Sequence, residues 1–293
     1  MLFSSESPKK FNFYIMTNSR VKSTAKLLNQ LGRLNNFGNI FISDSGGRDK
    51  KIFNQALKSI SKDNIDFELI DNSKFSESPF LHWWSILDNG KENLFIFHDD
   101  DEIDEKEFIK ILQGSFTDKY DFICSTLKGK NPDFSDHDSK SKTEKINSII
   151  KTYILSPSGN CPLLTGLFIK RPFKLKANIP DDFLIEGNYG DISFMSWLFS
   201  QDRSLISDIN YINHIEHGEN HNSSHSLYSR DLLHKFIFNR KSFEMKIISF
   251  LIYFNYPSRI HYFVTGLFLS LFVPNLLLKV LKKFFSVIRK IIF

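Results

Sequence analysis

Cysteine is nearly absent from this chain. There are two in 293 residues, Cys124 and Cys161, and neither belongs to a CxxC pair. That removes a zinc cluster and a disulfide framework from consideration and fits a reducing cytoplasm. Glycine-rich phosphate loops are missing too. No GxGxxG follows the first predicted strand, and no GxxxxGK[ST] occurs anywhere. A dinucleotide-binding Rossmann site and a P-loop both lose their main support. The opening stretch "MLFSSESPKKF" lacks the basic-then-apolar order of an export signal, so we expect the chain to stay in the cytoplasm. Charge of one sign is scarce except at one end. The net charge is +5, and residues 279–293 hold five bases (Lys279, Lys282, Lys283, Arg289, Lys290) and no acid. The remainder is close to neutral, which argues against a general nucleic-acid surface.

Phenylalanine, by contrast, is plentiful: 31 residues, many in the C-terminal fifth. "FNFYIMT" (11–17) predicts a strand. The next segment places Val21, Ala25, Leu28 and Leu31 on one helical face. "GNIFIS" (38–43) is a second strand, closed by Asp44 and the turn "SGG". Helix 50–60, strand 65–71, helix 79–90 and strand 93–98 follow. Four alternations of strand and helix predict a mostly parallel sheet flanked by helices. In such sheets ligands bind at the carboxyl ends of the strands. Those ends carry Thr17 and Asn18, Asp44, Asp71, and Asp99 to Asp101. We expect them to converge on one crevice.

Beyond the aspartates, "DEKEFIKILQGS" predicts a helix and residues 121–127 a fifth strand. Residues 128–145 are polar and nearly free of apolar side chains, the composition of a mobile loop or lid. A helix is expected over 146–155, strand-like chain over 162–171, and a helix over 189–201 with Ile192, Met195 and Phe199 on one face. Strand material then runs into a histidine-rich loop. The chain from about residue 241 differs in character. Residues 260–278 contain no Lys, Arg, Asp or Glu, a run just long enough to span a bilayer, although His261, Pro274 and Asn275 weigh against it. Residues 279–293 alternate basic and apolar side chains at helical spacing, the pattern of a helix lying in a membrane interface. A helical subdomain packed on the core is the competing reading. We expect one domain over 1–240 (a nucleotide-binding half, 11–104, and an acceptor half, 105–240) and a membrane-associating helical extension over 241–293.

The densest chemistry lies in "LFIFHDDDEID" (94–104). In an extended strand end Asp99 and Asp101 point to one side and Asp100 to the other. Two carboxylates at the mouth of a parallel sheet suit a hard divalent cation such as Mg2+ or Mn2+, whose shell is completed by phosphate oxygens and water. A diphosphate substrate follows. The competing reading is an acidic cap on the next helix, which Asp104 or Glu105 could supply alone. Two rivals fail on detail: an EF-hand loop beginning at Asp99 needs Gly where Asp104 stands, and a DxDxT nucleophile motif needs Thr at Ile103.

These residues resemble the GT-A glycosyltransferases, and within them family 2. "FIFHDDDEI" is similar to their DXD-type motif, which holds metal and sugar nucleotide. "FYIMTNSR" resembles their opening strand, so Thr17, Asn18 and Arg20 would line the donor site. "NIFISDSGG" resembles the second strand, whose terminal Asp, here Asp44, contacts the nucleoside. "NYGDISFMSWL" resembles the Glu-Asp motif whose Asp, here Asp191, is the catalytic base of inverting members. "EHGENHNS" resembles a late His-Gly-x-Asn segment, where His217 would complete the metal shell. The resemblance spans residues 11–225 and departs twice. Gly190 stands where the family has Glu, and "DNSKFSESPF" replaces an Asn/Gly-rich turn after strand three.

The resemblance therefore implies a metal-dependent inverting glycosyltransferase using Mn2+ or Mg2+. Thr17, Asn18, Arg20, Asp44, Asp71, Asp99 and Asp100 would hold a nucleotide-sugar donor, and Asp101 and His217 the metal. The acceptor would be a glycan or lipid-linked saccharide. With an anionic membrane surface as partner for the C-terminus and no nucleic acid, the expected address is the cytoplasmic face of the inner membrane. Asp191 has a second reading as the N-cap of its helix. His214, His221 and His225 read as solvent-facing, and Trp83 and Trp84 as core, with one of the pair a candidate to face the acceptor. Two other functions remain open. A sugar-phosphate nucleotidyltransferase would need a glycine-rich basic loop, and "TNSRVKS" offers Arg20 and Lys22 but no glycine. A non-catalytic membrane assembly protein on the same fold is the third reading.

Overall fold

The computed structural model describes residues 10–47, 49–61, 65–76, 79–90, 93–126, 137–155, 162–170, 179–180, 183, 190–214, 227–240 and 242–251. The chain forms two compact units. The first comprises Met1–Ser125, Leu163–Asn178 and Arg203–His217; the second comprises Thr126–Pro162, Ile179–Asp202 and Gly218–Phe293.

The first unit is built on a seven-stranded sheet. Its strands are β1 (Phe11–Thr17), β2 (Gly38–Asp44), β3 (Glu68–Asp71), β4 (Leu94–His98), β6 (Phe122–Ser125), β7 (Leu167–Ile169) and β8 (Ser204–Ser207), in the order β3-β2-β1-β4-β7-β6-β8. β3, β2, β1 and β4 are parallel, β7 runs antiparallel to both neighbours, and β6 and β8 are parallel. β1 and β4 are apolar runs buried along nearly their whole length, as strands covered on both faces must be. Helices α1 (Val21–Gly32), α2 (Lys50–Ile60), α3 (Pro79–Asn89), α4 (Glu105–Gln113) and the short α5 (Phe116–Lys119) complete the unit.

Phenylalanine fills its core. Phe13, Phe95 and Phe97 from adjacent strands surround Phe108 of α4, with ring centroids 5.0 to 5.9 Å from it. Tyr211 stacks on Phe108 at 5.5 Å. Tilted and edge-on contacts of this kind add to area burial, because each ring's positive edge meets a neighbour's negative face. Trp83 is fully buried, whereas Trp84 is half-buried.

Sheet register positions the site. Thr17 pairs with Asp44, Asp44 with Asp71, and Met16 with His98. The polar ends of the four parallel strands therefore lie in one row. Strand order reverses where β1 separates β2 from β4, the switch point at which ligands bind in open sheets of this type. A second, two-stranded sheet joins β5 (Asp101–Ile103) to β9 (Ile212–His214), pairing Asp101 with His214. The side-chain amide of Gln30, on α1, accepts from the Ile103 N–H at 3.1 Å and so ties β5 to the first helix.

The second unit contains α6 (Lys142–Leu155), α7 (Gly190–Leu198), α8 (Leu227–Phe238) and α9 (Phe243–Leu251). Two expectations are corrected here. The polar stretch 128–145 is not loop to its end, because α6 begins at Lys142 after a 3-10 turn at His137–Ser139. "SKTE" (141–144) forms a reciprocal cap. Ser141 N–H and Oγ donate to Glu144 Oε2 at 2.8 and 2.6 Å, and the Glu144 N–H returns to Ser141 Oγ at 3.4 Å. Ser141→Ala is expected to cost about 1 kcal/mol, read as a lower urea midpoint. The lid expectation for 128–136 falls outside the described residues. Second, α7 is not one-faced: Gly190 and residues 192–198 are all buried. Its serines make this tolerable by donating to their own helix, Ser193 to Gly190 O and Ser196 to Ile192 O.

Candidate functional site

Thr17, Arg20, Asp99 and Asp100 form one cluster at the β1–β4 switch. The chain leaves β4 at His98 and turns through Asp99 and Asp100, with the Asp99 N–H donating to Met16 O at 3.0 Å. Asp99 is buried, and its Oδ2 accepts from Thr17 Oγ1 at 2.6 Å and from Arg20 Nε at 3.1 Å. Arg20 Nη2 closes the second arm of the fork on Asp99 Oδ1 and stands 3.6 Å from Asp100 Oδ2. Burial is the main influence on Asp99 and raises its pKa to about 6. The Thr17 hydroxyl and Arg20 oppose that rise, and Asp100 adds to it.

Asp101 faces other partners. Its Oδ2 accepts from the His98 N–H at 2.7 Å and from the Thr165 hydroxyl. The strand-alternation argument, with Asp99 and Asp101 sharing a side, is corrected by this geometry. The chain turns at Asp99 and Asp100, so Asp99 shares Arg20 with Asp100 instead. The capping reading also has its place, one step further on: Asp104 is the N-cap of α4 and accepts from the Glu107 N–H at 3.1 Å.

Asp44 is buried and turned inward. Its carboxylate accepts from the Ser19 N–H at 2.7 Å, from Ser19 Oγ at 2.9 Å and from the Gly46 N–H at 3.0 Å. Ser19 has φ of +55°, a left-handed conformation a serine adopts only when held there. A side chain at position 46 would sit 2.2 Å from Ser19 Oγ, so glycine is required where the "SGG" turn crosses the β1–α1 turn. Asp44 thus fixes the backbone immediately before Arg20. Asp71 is exposed on β3, its carboxylate held below the usual range chiefly by the Ser73 N–H at 2.9 Å. Asn18 is exposed. His217 lies outside the described residues, and β9 ends at His214, three positions before it.

Asp191 belongs to the second unit and is the second residue of α7, so it is not the N-cap. It is half-buried, and its Oδ1 accepts from the Ile192 N–H at 2.8 Å. Burial raises its pKa to about 6 against the opposing pull of backbone N–H groups. A carboxylate poised near neutrality suits a general base.

Sequence reasoning missed a buried chain beneath the strand ends. Asn72 Nδ2 donates to Ser43 Oγ at 2.7 Å, and Ser43 Oγ lies 2.7 Å from His82 Nε2. The Ser43 hydroxyl has a lone pair for the Asn72 amide and a further position for His82, so it joins the two side chains in one buried chain. Burial is the main cause that lowers the His82 pKa to about 4. Above pH 6.5 both folded and unfolded histidine are neutral. As pH falls from 6.5 to 4 the unfolded chain takes up a proton that the native state refuses, so stability is lost on acidification. We expect wild-type protein to lose about 3 kcal/mol more than His82→Gln across that window, measured by urea unfolding. "FLHWW" gives no sign of this role, because the partners Ser43 and Asn72 come from other strand ends.

Among the described residues no group of three His, Cys, Asp or Glu side chains is placed to hold a metal ion. The available donors are nonetheless of the right kind. Mg2+ and Mn2+ take one or two carboxylates and draw their remaining ligands from phosphates and water. Asp100 and Asp101 are adjacent, buried carboxylates.

The strand order, the switch-point cluster and the small β5–β9 sheet define a GT-A-like fold, as the sequence pattern led us to expect. Two solved structures of one particular protein share it. The chain is similar to S. aureus TarS 1–349 in complex with UDP-GlcNAc, at 18% identity over 94% of this chain and 89% of that one, with a TM-score of 0.55. It is also similar to a structure of TarS 1–349 with 16% identity over 87% and 74% of the two chains and a TM-score of 0.51. No protein-family model matches the chain, and no curated protein matches its sequence.

Proposed function

We propose that this chain is an inverting glycosyltransferase, of the family 2 type, that moves a sugar from a nucleotide donor to a hydroxyl of a glycan or lipid-linked saccharide. One observation carries the reading: Thr17, Arg20, Asp99 and Asp100 meet at the switch point of a GT-A-like sheet, and a structural neighbour of that fold holds UDP-GlcNAc. Arg20 presents a guanidinium at the place where a diphosphate would bring negative charge. Asp44 and Ser19 hold its backbone, so the charge is pre-positioned. Asp99 and Asp100 orient Arg20 and offer acceptors to donor hydroxyls.

Asp101, with His217, would hold Mn2+ or Mg2+, and Asp100 stands beside it. The ion when bound would offset charge on the departing nucleoside diphosphate. Asp191 takes the proton from the acceptor hydroxyl as that oxygen attacks the anomeric carbon from the face opposite the nucleotide, which gives inversion. Residues 252–293 lie outside the described residues. Among the described residues no helix is long and apolar enough to cross a membrane. The basic and apolar sequence of 279–293 supports seating on the anionic cytoplasmic face of the membrane, where a lipid-linked acceptor would be met.

A thermal-shift screen of nucleotide sugars, UDP-GlcNAc among them, with and without Mn2+ tests the donor reading. We expect one nucleotide class to raise the melting temperature, and to do so more strongly with Mn2+. No shift across the panel under either condition overturns it.

A further inference from the structure

We propose that Thr165 is a positioning residue for the donor's cation: its hydroxyl holds the Asp101 carboxylate in one fixed orientation. The inference rests on the assignment of Asp101 to Mn2+ or Mg2+ proposed above and names the residue that sets its geometry. Thr165 lies 64 positions beyond Asp101, is buried, and meets Asp101 through a hydrogen bond to Oδ2. An ionised carboxylate only accepts, so the hydroxyl proton points at Asp101. The same Oδ2 takes the His98 N–H at 2.7 Å, and that N–H also lies 3.0 Å from Thr165 Oγ1. Three groups thus close a triangle at the exit of β4. Asp101 cannot rotate about its Cβ–Cγ bond without giving up both donors. The choice of donor matters as well. Neutral groups orient Asp101 without cancelling its charge, whereas the Arg20 guanidinium offsets the charge of Asp99.

A hydroxyl can position a carboxylate only if it is itself fixed, and the next residue fixes it. The Gly166 N–H donates to Ile96 O at 2.6 Å, which ties the turn before β7 to β4. Gly166 O accepts from the Tyr211 hydroxyl at 2.8 Å, which ties the same turn to the chain entering β9. Gly166 has φ of +68°, and a side chain there would sit 2.4 Å from Ile212 Cγ1. Glycine alone lets both ties form at once. Tyr211 is fully buried and stacks on Phe108, so the anchor reaches the phenylalanine core. β9 is also the strand that pairs with Asp101, through His214. Thr165 and Asp101 are therefore held by the same two strands, and neither shifts without the other. Small hard cations demand closely set ligand geometry, and groups that hold a ligand in place are worth tenfold or more in metal affinity.

The test titrates the full chain with Mn2+, alone and with UDP-GlcNAc, and follows loss of the free ion's paramagnetic resonance signal. Wild type, Asp101→Asn, Thr165→Val and Thr165→Ser are compared. Thr165→Val removes the hydroxyl at nearly constant shape, and Thr165→Ser keeps it. We expect Thr165→Val to weaken Mn2+ uptake roughly tenfold and Thr165→Ser to stay near wild type. Affinity for UDP-GlcNAc in EDTA should be the same in all three Thr165 forms, an equality that general loosening of the fold would break. Thr165→Ala repeats the comparison if the valine variant does not fold. No uptake by wild type in either condition, or uptake that Asp101→Asn leaves unchanged, removes the cation reading of Asp101 and this inference with it. If Asp101→Asn weakens uptake while Thr165→Val does not, only this inference falls. Metal-free and metal-dependent affinity lost together in Thr165→Val, or failure of Thr165→Ser to restore uptake, makes Thr165 a packing residue and likewise overturns it.

Discussion

Asp191→Asn should lower sugar transfer by about a thousandfold while donor affinity and melting temperature stay near wild type. The reasoning starts from geometry. Asn keeps an oxygen for the Ile192 N–H, so the start of α7 is preserved. It removes the one property a base needs, an acceptor for the acceptor hydroxyl's proton. Burial sets the native pKa at about 6, so the carboxylate is protonated and idle below that pH and ionised above it. Wild-type turnover should therefore climb with pH through 6 and level off, and the residual rate of the variant should not. The same raised pKa has a stability consequence of opposite direction. The folded state favours the protonated acid, so stability from this group is full below the unfolded carboxylate range and is lost as pH rises through about 6. Activity and stability thus trade against each other across one titration. Near-normal turnover in Asp191→Asn, with the pH profile intact, would remove Asp191 from the mechanism and leave it a first-turn acid that favours the positive end of its helix.

The second large effect is expected at Asp101. Asp101→Asn retains an oxygen for the His98 N–H and the Thr165 hydroxyl, so the turn after β4 should keep its shape. It loses a charge. If Asp101 holds the cation, Mn2+-dependent donor binding should weaken by a hundredfold or so, with a melting temperature close to wild type in the absence of ligand. Asp101→Ala also strips both hydrogen-bond donors of their acceptor and should melt lower as well as fail to transfer. The pair of substitutions separates a structural from a ligating role. Metal-dependent donor affinity unchanged in Asp101→Asn, measured by calorimetry, would falsify the ligand assignment and shift attention to Asp100.

Much of the sheet could be read directly, because β1, β2 and β4 are short apolar runs punctuated by turn residues and separated by helices of clear 3.6-residue period. β7 was visible only as strand-like chain. Its antiparallel placement between β4 and β6 has no local signature, since orientation depends on how the chain returns from the second unit's residues. The acidic run marked the stretch where Asp99 and Asp100 cluster with Thr17 and Arg20, but it misled on which side chains share a side. Strand alternation holds only while the chain is extended, and Asp99 and Asp100 form a turn. Asp44 shows the deeper limit. Its position at a strand end was plain, yet its partner Ser19 has a left-handed backbone that no serine advertises. "SKTE" has the spacing of a capping box, but the polar residues around it carry the composition of a loop and mask the helix start.

The pairing of Asp101 with His214 has a bearing on biogenesis. β5 comes before the middle of the chain and β9 well after it, so the acidic turn acquires its neighbouring strand only when a distant segment arrives. Closing so long a loop carries an entropic cost that must be met before the contact rewards it. During synthesis the aspartates leave the ribosome long before β9 exists. A nascent chain therefore carries the acidic residues without the strand that borders them, and the pairing beside the site cannot form until β9 has been made.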